Sequence, residues 1–172
     1  MLDRSGSISS SELTQLKTAA TDFVNALGLS TTGIHGGQSS FATLGTLDQQ
    51  LTDSSAALNA AIAALTSGGF TNLKAGIDLA SAELVSVRDR DDGTSPDKMI
   101  IITDGHPNRP LPSDTADDAA KASADAAKAA GTEVFVVGVG SDVNQAYLET
   151  VANNAAHYFS VTSYGGLQAT LA

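Results

Sequence analysis

Apolar positions along the chain follow two alternating rhythms. After Ser9, residues Leu13, Leu16, Ala20, Phe23 and Leu27 recur at three- and four-residue steps as far as Gly28, the spacing of a helix with one buried face. Ser9 and Glu12 form a capping-box pair at its start. Segments 34–41 and 46–51 read as short strands, the second at a sheet edge. A helix carrying Leu58, Ile62 and Leu65 stops at Ser67-Gly68-Gly69. Another begins near Thr71 and buries Leu73, Ile77, Ala80, Leu84 and Val87. A charged loop from Arg88 to Asp97 leads into Met99-Ile100-Ile101-Ile102, a continuous apolar run suited to a parallel strand covered on both faces. An alanine-rich helix spans about Thr115 to Ala130 and closes at Gly131. The strand Val134–Val139, a helix around Tyr147, Leu148 and Val151, the strand Tyr158–Val161 and a helix near Leu167–Leu171 complete the pattern. Helices and strands in alternation specify an α/β fold. No internal repeat, linker or second domain interrupts it, so residues 1–172 read as one domain.

Composition narrows the function. The 172 residues include no cysteine, which excludes a disulfide scaffold, a thiolate zinc site and a cysteine nucleophile together. With 19 acidic against 9 basic side chains the formal charge is −10, which disfavours nucleic acid, whose binding depends on phosphate neutralisation. No apolar run approaches the roughly 20 residues that span a bilayer, so no membrane insertion is expected of this segment. The first residues lack a basic-then-apolar signal pattern.

One stretch carries distinctive chemistry. Met1-Leu2-Asp3-Arg4-Ser5-Gly6-Ser7-Ile8-Ser9 places a carboxylate and two hydroxyls at every second residue, just ahead of a capped helix. In a loop leaving a strand, that spacing can turn three oxygens toward one point. Hydroxyl and carboxylate oxygens are hard ligands, suited to Mg²⁺, Mn²⁺ or Ca²⁺ and not to zinc or copper. Three donors leave an octahedral shell incomplete, so further ones are expected from loops at the same sheet edge. Thr71, opening a helix after two glycines, and Asp104, ending the strand at 99–103, hold such positions. Sites in open α/β sheets form beyond the carboxyl ends of strands. Each position also has a plain structural reading: serines cap and turn, Thr71 suits an N-cap, and Asp104-Gly105 suits a strand-ending turn. They gain weight as a set.

Taken together, Asp3-x-Ser5-Gly6-Ser7, the later threonine and Ile102-Thr103-Asp104-Gly105-His106-Pro107-Asn108 resemble the von Willebrand factor type A domain of bacterial type and its metal-ion-dependent adhesion site. Tyr158-Phe159-Ser160-Val161, followed by Tyr164 and Leu167, is similar to that family's last strand and helix. The resemblance covers essentially the whole chain. It implies a Rossmann-like, doubly wound, mostly parallel sheet with helices on both faces and one short antiparallel edge strand. It further implies that Ser5 and Ser7 hold a divalent ion directly, that Thr71 binds it directly or through water, and that Asp3 and Asp104 act through waters and by holding the hydroxyls. Gly6, Gly105 and His106 would form the rim. The cofactor implied is Mg²⁺, or Mn²⁺ or Ca²⁺, and the partner a protein that supplies an acidic side chain.

Two departures from the family pattern stand out. Only Met1 and Leu2 precede the metal loop, so the central first strand is expected to be largely missing, and truncation at the N-terminus is the reading offered. The second strand reads Gly37-Gln38-Ser39-Ser40-Phe41 where apolar residues are usual. Other chemistries find little support. His35, His106 and His157 lack zinc spacing, Val143 stands where a dinucleotide fingerprint needs its third glycine, and no Gly-x-Ser-x-Gly or Walker loop occurs. Asp89, Asp91 and Asp92 have the wrong spacing for an EF-hand and read as a solvated turn. The expectation is therefore a non-enzymatic, divalent-metal-dependent protein-binding module of an extracellular or cell-surface protein. Two alternatives stay open: an intracellular accessory subunit of an ATP-driven chaperone or chelatase, and a metal-dependent hydrolase with His106 as base.

Overall fold

A computed structural model describes residues 1–90, 96–110, 112 and 115–171. Six strands form one sheet: β1 (Leu2–Asp3), β2 (Gly36–Phe41), β3 (Gly45–Thr52), β4 (Lys98–Thr103), β5 (Glu133–Val139) and β6 (Tyr158–Val161). Their spatial order is β3-β2-β1-β4-β5-β6. All neighbours run parallel except the edge pair β2–β3, which is antiparallel. Among the described residues, six α-helices accompany them: α1 (Ser10–Ala26), α2 (Ser55–Ala64), α3 (Leu73–Leu84), α4 (Ala116–Ala129), α5 (Gln145–Val151) and α6 (Leu167–Leu171), the last following β6. The expected α/β sheet with one antiparallel edge strand is what forms.

Alternate residues of each strand feed two separate cores, because a strand's side chains point to opposite faces in turn. Leu2, Ile102, Val137, Val139 and Val161 pack with Leu13 and Leu16 of α1, Leu58 and Ile62 of α2, and Leu167 of α6. Phe41, Met99, Ile101, Val134 and Val136 pack with Leu73 and Ile77 of α3, the buried alanines of α4 and Leu148 of α5. This explains why strands β4 and β5 read as unbroken apolar runs. The alanines of α4 let it approach the sheet closely: Ala116, Ala120 and Ala124 are all fully buried.

Element ends follow local chemistry. Ser9 caps α1 with the full reciprocal box to Glu12, and Gly28 leaves the helix at φ 64°, a left-handed conformation open to glycine. Helix α3 differs from the sequence reading at both ends. Asn72, not Thr71, is its cap, accepting from the Ala75 N–H. The helix stops at Leu84, and Val87 is 97 % exposed instead of buried. The acidic turn at Asp91 and Asp92 lies outside the described residues.

At the centre of the sheet stands β1, only Leu2–Asp3, with Leu2 level with Ser40 of β2 and Ile102 of β4. The polar second strand is buried despite its composition: Gln38, Ser39 and Ser40 are each at most 6 % exposed. Arg4 donates to Ser40 Oγ at 3.1 Å and to Thr46 Oγ1 at 3.1 Å, and Gln38 Nε2 donates to the Ser39 carbonyl at 2.7 Å. Hydrogen bonds thus do at this edge part of what apolar packing does elsewhere.

Candidate metal site

The short central strand ends at Asp3, which puts its carboxylate at the carboxyl edge of the sheet. The side chain is fully buried. Its Oδ1 accepts the Ser5 N–H at 2.8 Å and its Oδ2 accepts the Thr103 hydroxyl at 2.7 Å. Burial pushes the Asp3 carboxyl up to about 6, while these hydrogen bonds oppose the shift. The first bond shapes the loop as an Asx turn. Ile8, 2 % exposed, anchors its far end in the core.

From this foundation a chain of oxygens runs outward. Ser5 Oγ and Ser7 Oγ are 3.1 Å apart, and Ser7 Oγ donates to Asp104 Oδ1 at 3.0 Å. Ser5 is buried and Ser7 exposed, so the row leads from the core to solvent. Burial also raises the pKa of Asp104, with Ser7 opposing and the Glu12 charge adding to the rise. The charges acting on both carboxylates are themselves carboxylates: Asp104 on Asp3, and Glu12 on Asp104. A cation at this edge would relieve that accumulated negative field.

Thr71 arrives on a separate loop, held in place through the backbone. Gly6 N–H donates to the Gly69 carbonyl at 3.0 Å, and Gly68 N–H to the Arg4 carbonyl at 2.9 Å. A Cβ added to Gly6 would stand 3.0 Å from the Gly69 oxygen, so Gly6 is the joint where the two loops touch. Thr71 is 7 % exposed. Its N–H donates to Asn108 Oδ1 at 2.9 Å, and its carbonyl accepts the N–H groups of Asn108 and Arg109 at 2.9 and 3.2 Å. Because Asn72 caps α3, the Thr71 hydroxyl is not taken by the helix terminus.

The structure therefore joins Asp3, Ser5, Ser7 and Asp104 through side-chain bonds and brings Thr71 to the same edge through Gly69 and Asn108. Gly105 is open on its outer side. His106 contacts Asp117 and Tyr147: its Nδ1 lies 3.4 Å from Asp117 Oδ2 and its ring stacks on Tyr147 with centroids 5.8 Å apart. Three contributors escaped the sequence reading. Thr103 and Asn108 stood inside the quoted motif, but only the fold reveals that they hold Asp3 and Thr71. Tyr164, 3 % exposed, has a hydroxyl without a hydrogen-bond partner of standard geometry. Burial first, then the fields of Asp104, Asp3 and Glu12, raise its pKa far above the ordinary phenol value, so it stays a neutral donor facing the carboxylates.

The donor set tests whether a cation fits. Among the described residues no group of three or more His, Cys, Asp or Glu side chains converges, so the site is hydroxyl-rich with two carboxylates. Such oxygens suit a hard divalent ion, and the buried Tyr164 hydroxyl interacts with Asp104 at the same edge. The residues present fit the group.

The family model of the von Willebrand factor type A domain matches residues 1–172. A search of the curated proteins found no match. Proximal thread matrix protein 1 from the mussel byssus, in a form with a zinc-occupied MIDAS motif, superposes with a TM-score of 0.83 at 20 % identity, over 99 % of this chain and 44 % of that one. The vWF domain of the type V pili tip protein Mfa5 from Porphyromonas gingivalis gives 0.83 at 14 % identity, over 99 % and 90 %. The pilus adhesin SpaC from Lactobacillus rhamnosus GG gives 0.78 at 18 % identity, over 99 % and 29 %. The chain thus spans less than half the length of the mussel protein.

Proposed function

On the premise that the chain belongs to the von Willebrand factor type A domain family, we propose that it is a non-enzymatic, divalent-metal-dependent module that binds an acidic side chain of a partner protein. The observation that carries this reading is the row Ser5–Ser7–Asp104, with links of 3.1 and 3.0 Å, built over the buried Asp3. Ser5 and Ser7 hold the ion through their hydroxyls, Thr71 joins from its own loop, and Asp3 and Asp104 act through waters and by orienting the hydroxyls. Mg²⁺ is the ion proposed, with Mn²⁺ or Ca²⁺ as substitutes. When bound, a divalent ion with so few carboxylate ligands stays strongly electrophilic and favours an anionic partner oxygen. Gly6 and Gly105 flank the point of entry.

His106 is engaged with Asp117 and Tyr147, which supports a binding role over a hydrolytic one, because general-base chemistry needs its group within reach of the reacting water. The likeness to pilus proteins supports an extracellular or cell-surface setting within a larger protein. No described helix is long and apolar enough to cross a membrane.

The test is a titration of immobilised chain with a Glu-containing peptide and its Gln counterpart, with Mg²⁺ and with EDTA. Binding is expected only for the Glu peptide, only with metal, and not for Ser5→Ala. Affinity unchanged by EDTA and by Ser5→Ala would overturn the proposal.

A further inference from the structure

Beside the candidate metal site lies a basic and aromatic corner to which the metal gives no role. The Arg109 guanidinium stacks over the Phe70 ring, its central carbon 3.5 Å from the ring centroid. The negative face of the ring attracts the cation and holds the planar guanidinium fork against it. One arm is engaged locally, since Arg109 Nη1 donates to the Asn108 carbonyl at 2.7 Å. The other donors of the fork meet no carboxylate: among the described residues, Arg109 belongs to no ion pair. Arg109 is only half-buried and Phe70 is 47 % exposed, so the stack is open to a partner.

Local bonds fix this corner to the site. Phe70 immediately precedes Thr71, and the Arg109 N–H donates to the Thr71 carbonyl at 3.2 Å. The turn between β2 and β3 supports the same loop: Thr43 Oγ1 accepts the Phe70 N–H at 3.2 Å, and the Thr43 carbonyl accepts Asn72 Nδ2 at 3.1 Å. Leu44, the next residue of that turn, is exposed. Charge around the site is uneven. The carboxylates that act on one another there are Asp3, Asp104 and Glu12, whereas the cation adjoins Thr71. A partner that brings a carboxylate to the metal meets like charge toward Glu12 and opposite charge toward Arg109. In a chain of formal charge −10, such a local cation sets how an acidic segment lies.

We propose that Arg109, seated on Phe70, is a second anchor for the partner protein, taking a further acidic side chain from the same segment that brings a carboxylate to the metal. The proposal rests on the metal-dependent function proposed above and adds to it the partner's chemistry: two carboxylates in place of one. A guanidinium offers a carboxylate two parallel hydrogen bonds, and stacking on Phe70 leaves less side-chain freedom to lose on binding. Because Arg109 adjoins Thr71 through Phe70, the second acid is expected two or three positions from the first, about 7–10 Å along an extended segment. Two points of attachment also fix the direction of the segment across the site, which one carboxylate does not.

The experiment measures binding of the full chain, in Mg²⁺ and in EDTA, to capped Ser-Glu-Ser-Glu-Ser and Ser-Glu-Ser-Ser-Glu-Ser and to counterparts with one Glu replaced by Gln. In Mg²⁺ the better two-Glu peptide is expected to bind about fivefold more tightly than its one-Glu counterpart, the size of a well-formed, partly exposed ion pair. Arg109→Gln should reduce that gain to no more than the chance doubling from a second equivalent acid. It should still bind the one-Glu peptide in Mg²⁺ as the unaltered chain does, which also shows that the variant is folded. Arg90→Gln, which removes the same charge beside Gly33 where the chain enters β2, should keep the gain. Metal-dependent binding of one Glu, with no gain from the second or a gain that survives Arg109→Gln, would overturn this inference and leave the metal-dependent function standing. A gain lost equally in Arg90→Gln would overturn it too, because net charge would then be the cause. Arg109-dependent binding of two Glu that persists in EDTA would support the anchor and overturn the metal dependence instead. No binding of either peptide would overturn both.

Discussion

Thr103 Oγ1 donates to Asp3 Oδ2 at 2.7 Å across 100 positions of sequence, tying β4 to β1 inside the core. Asp3 in turn shapes the serine loop through the Ser5 N–H. The bond supports a buried carboxylate, so losing it leaves an acceptor short of a donor, at a cost of about 1–3 kcal/mol. Thr103→Val is expected to lower stability by that amount in urea unfolding and to weaken Mg²⁺ binding, although Thr103 itself need not touch the ion.

Gly6→Ala tests the joint between the two loops. The new methyl would meet the Gly69 carbonyl oxygen at 3.0 Å, a backbone atom that cannot rotate away. The loops must part, straining the Gly6–Gly69 hydrogen bond and moving Thr71 from the serines. A loss of about 1–3 kcal/mol is expected for such overpacking, with metal affinity falling more steeply than in Ser11→Ala, a control at the exposed start of α1.

Asn108→Ala examines how Thr71 is positioned. Asn108 Oδ1 is the acceptor for the Thr71 N–H at 2.9 Å. Without it that buried donor is unsatisfied, costing about 1–2 kcal/mol. Metal affinity should fall while the Asp3–Thr103 bond persists, which an isotope-resolved spectrum of the Thr103 hydroxyl or of neighbouring amides would show.

Much of the fold and the site was legible because each signal was local. The capping box at Ser9 and Glu12 and the apolar runs at 99–102 and 134–139 fix their elements with little help from the rest of the chain. Asp3, Ser5, Ser7 and Asp104 could be grouped because strand ends in an α/β sheet share one edge. What escaped depended on tertiary contacts. Asn72 outcompetes Thr71 as the cap of α3, a choice between adjacent polar residues that spacing does not decide. Val87 keeps the helical period but lies beyond the end of α3, where no core remains to cover it. The burial of Gln38, Ser39 and Ser40 rests on partners such as Arg4, far away in sequence. Proximity to Asp104 in sequence suggests His106 for the rim, and only the fold reveals its contacts with Asp117 and Tyr147.

The central claim is that the serine row holds a divalent ion, and calorimetric titration of the purified chain with MgCl₂, MnCl₂ and ZnCl₂ tests it most directly. One ion per chain is predicted, with Ser7→Ala weakening Mg²⁺ binding at least tenfold while changing stability by no more than about 0.5 kcal/mol, as expected for an exposed side chain. Saturable binding unaffected by Ser7→Ala and by Asp104→Asn, or no heat with any of the three ions, would contradict it.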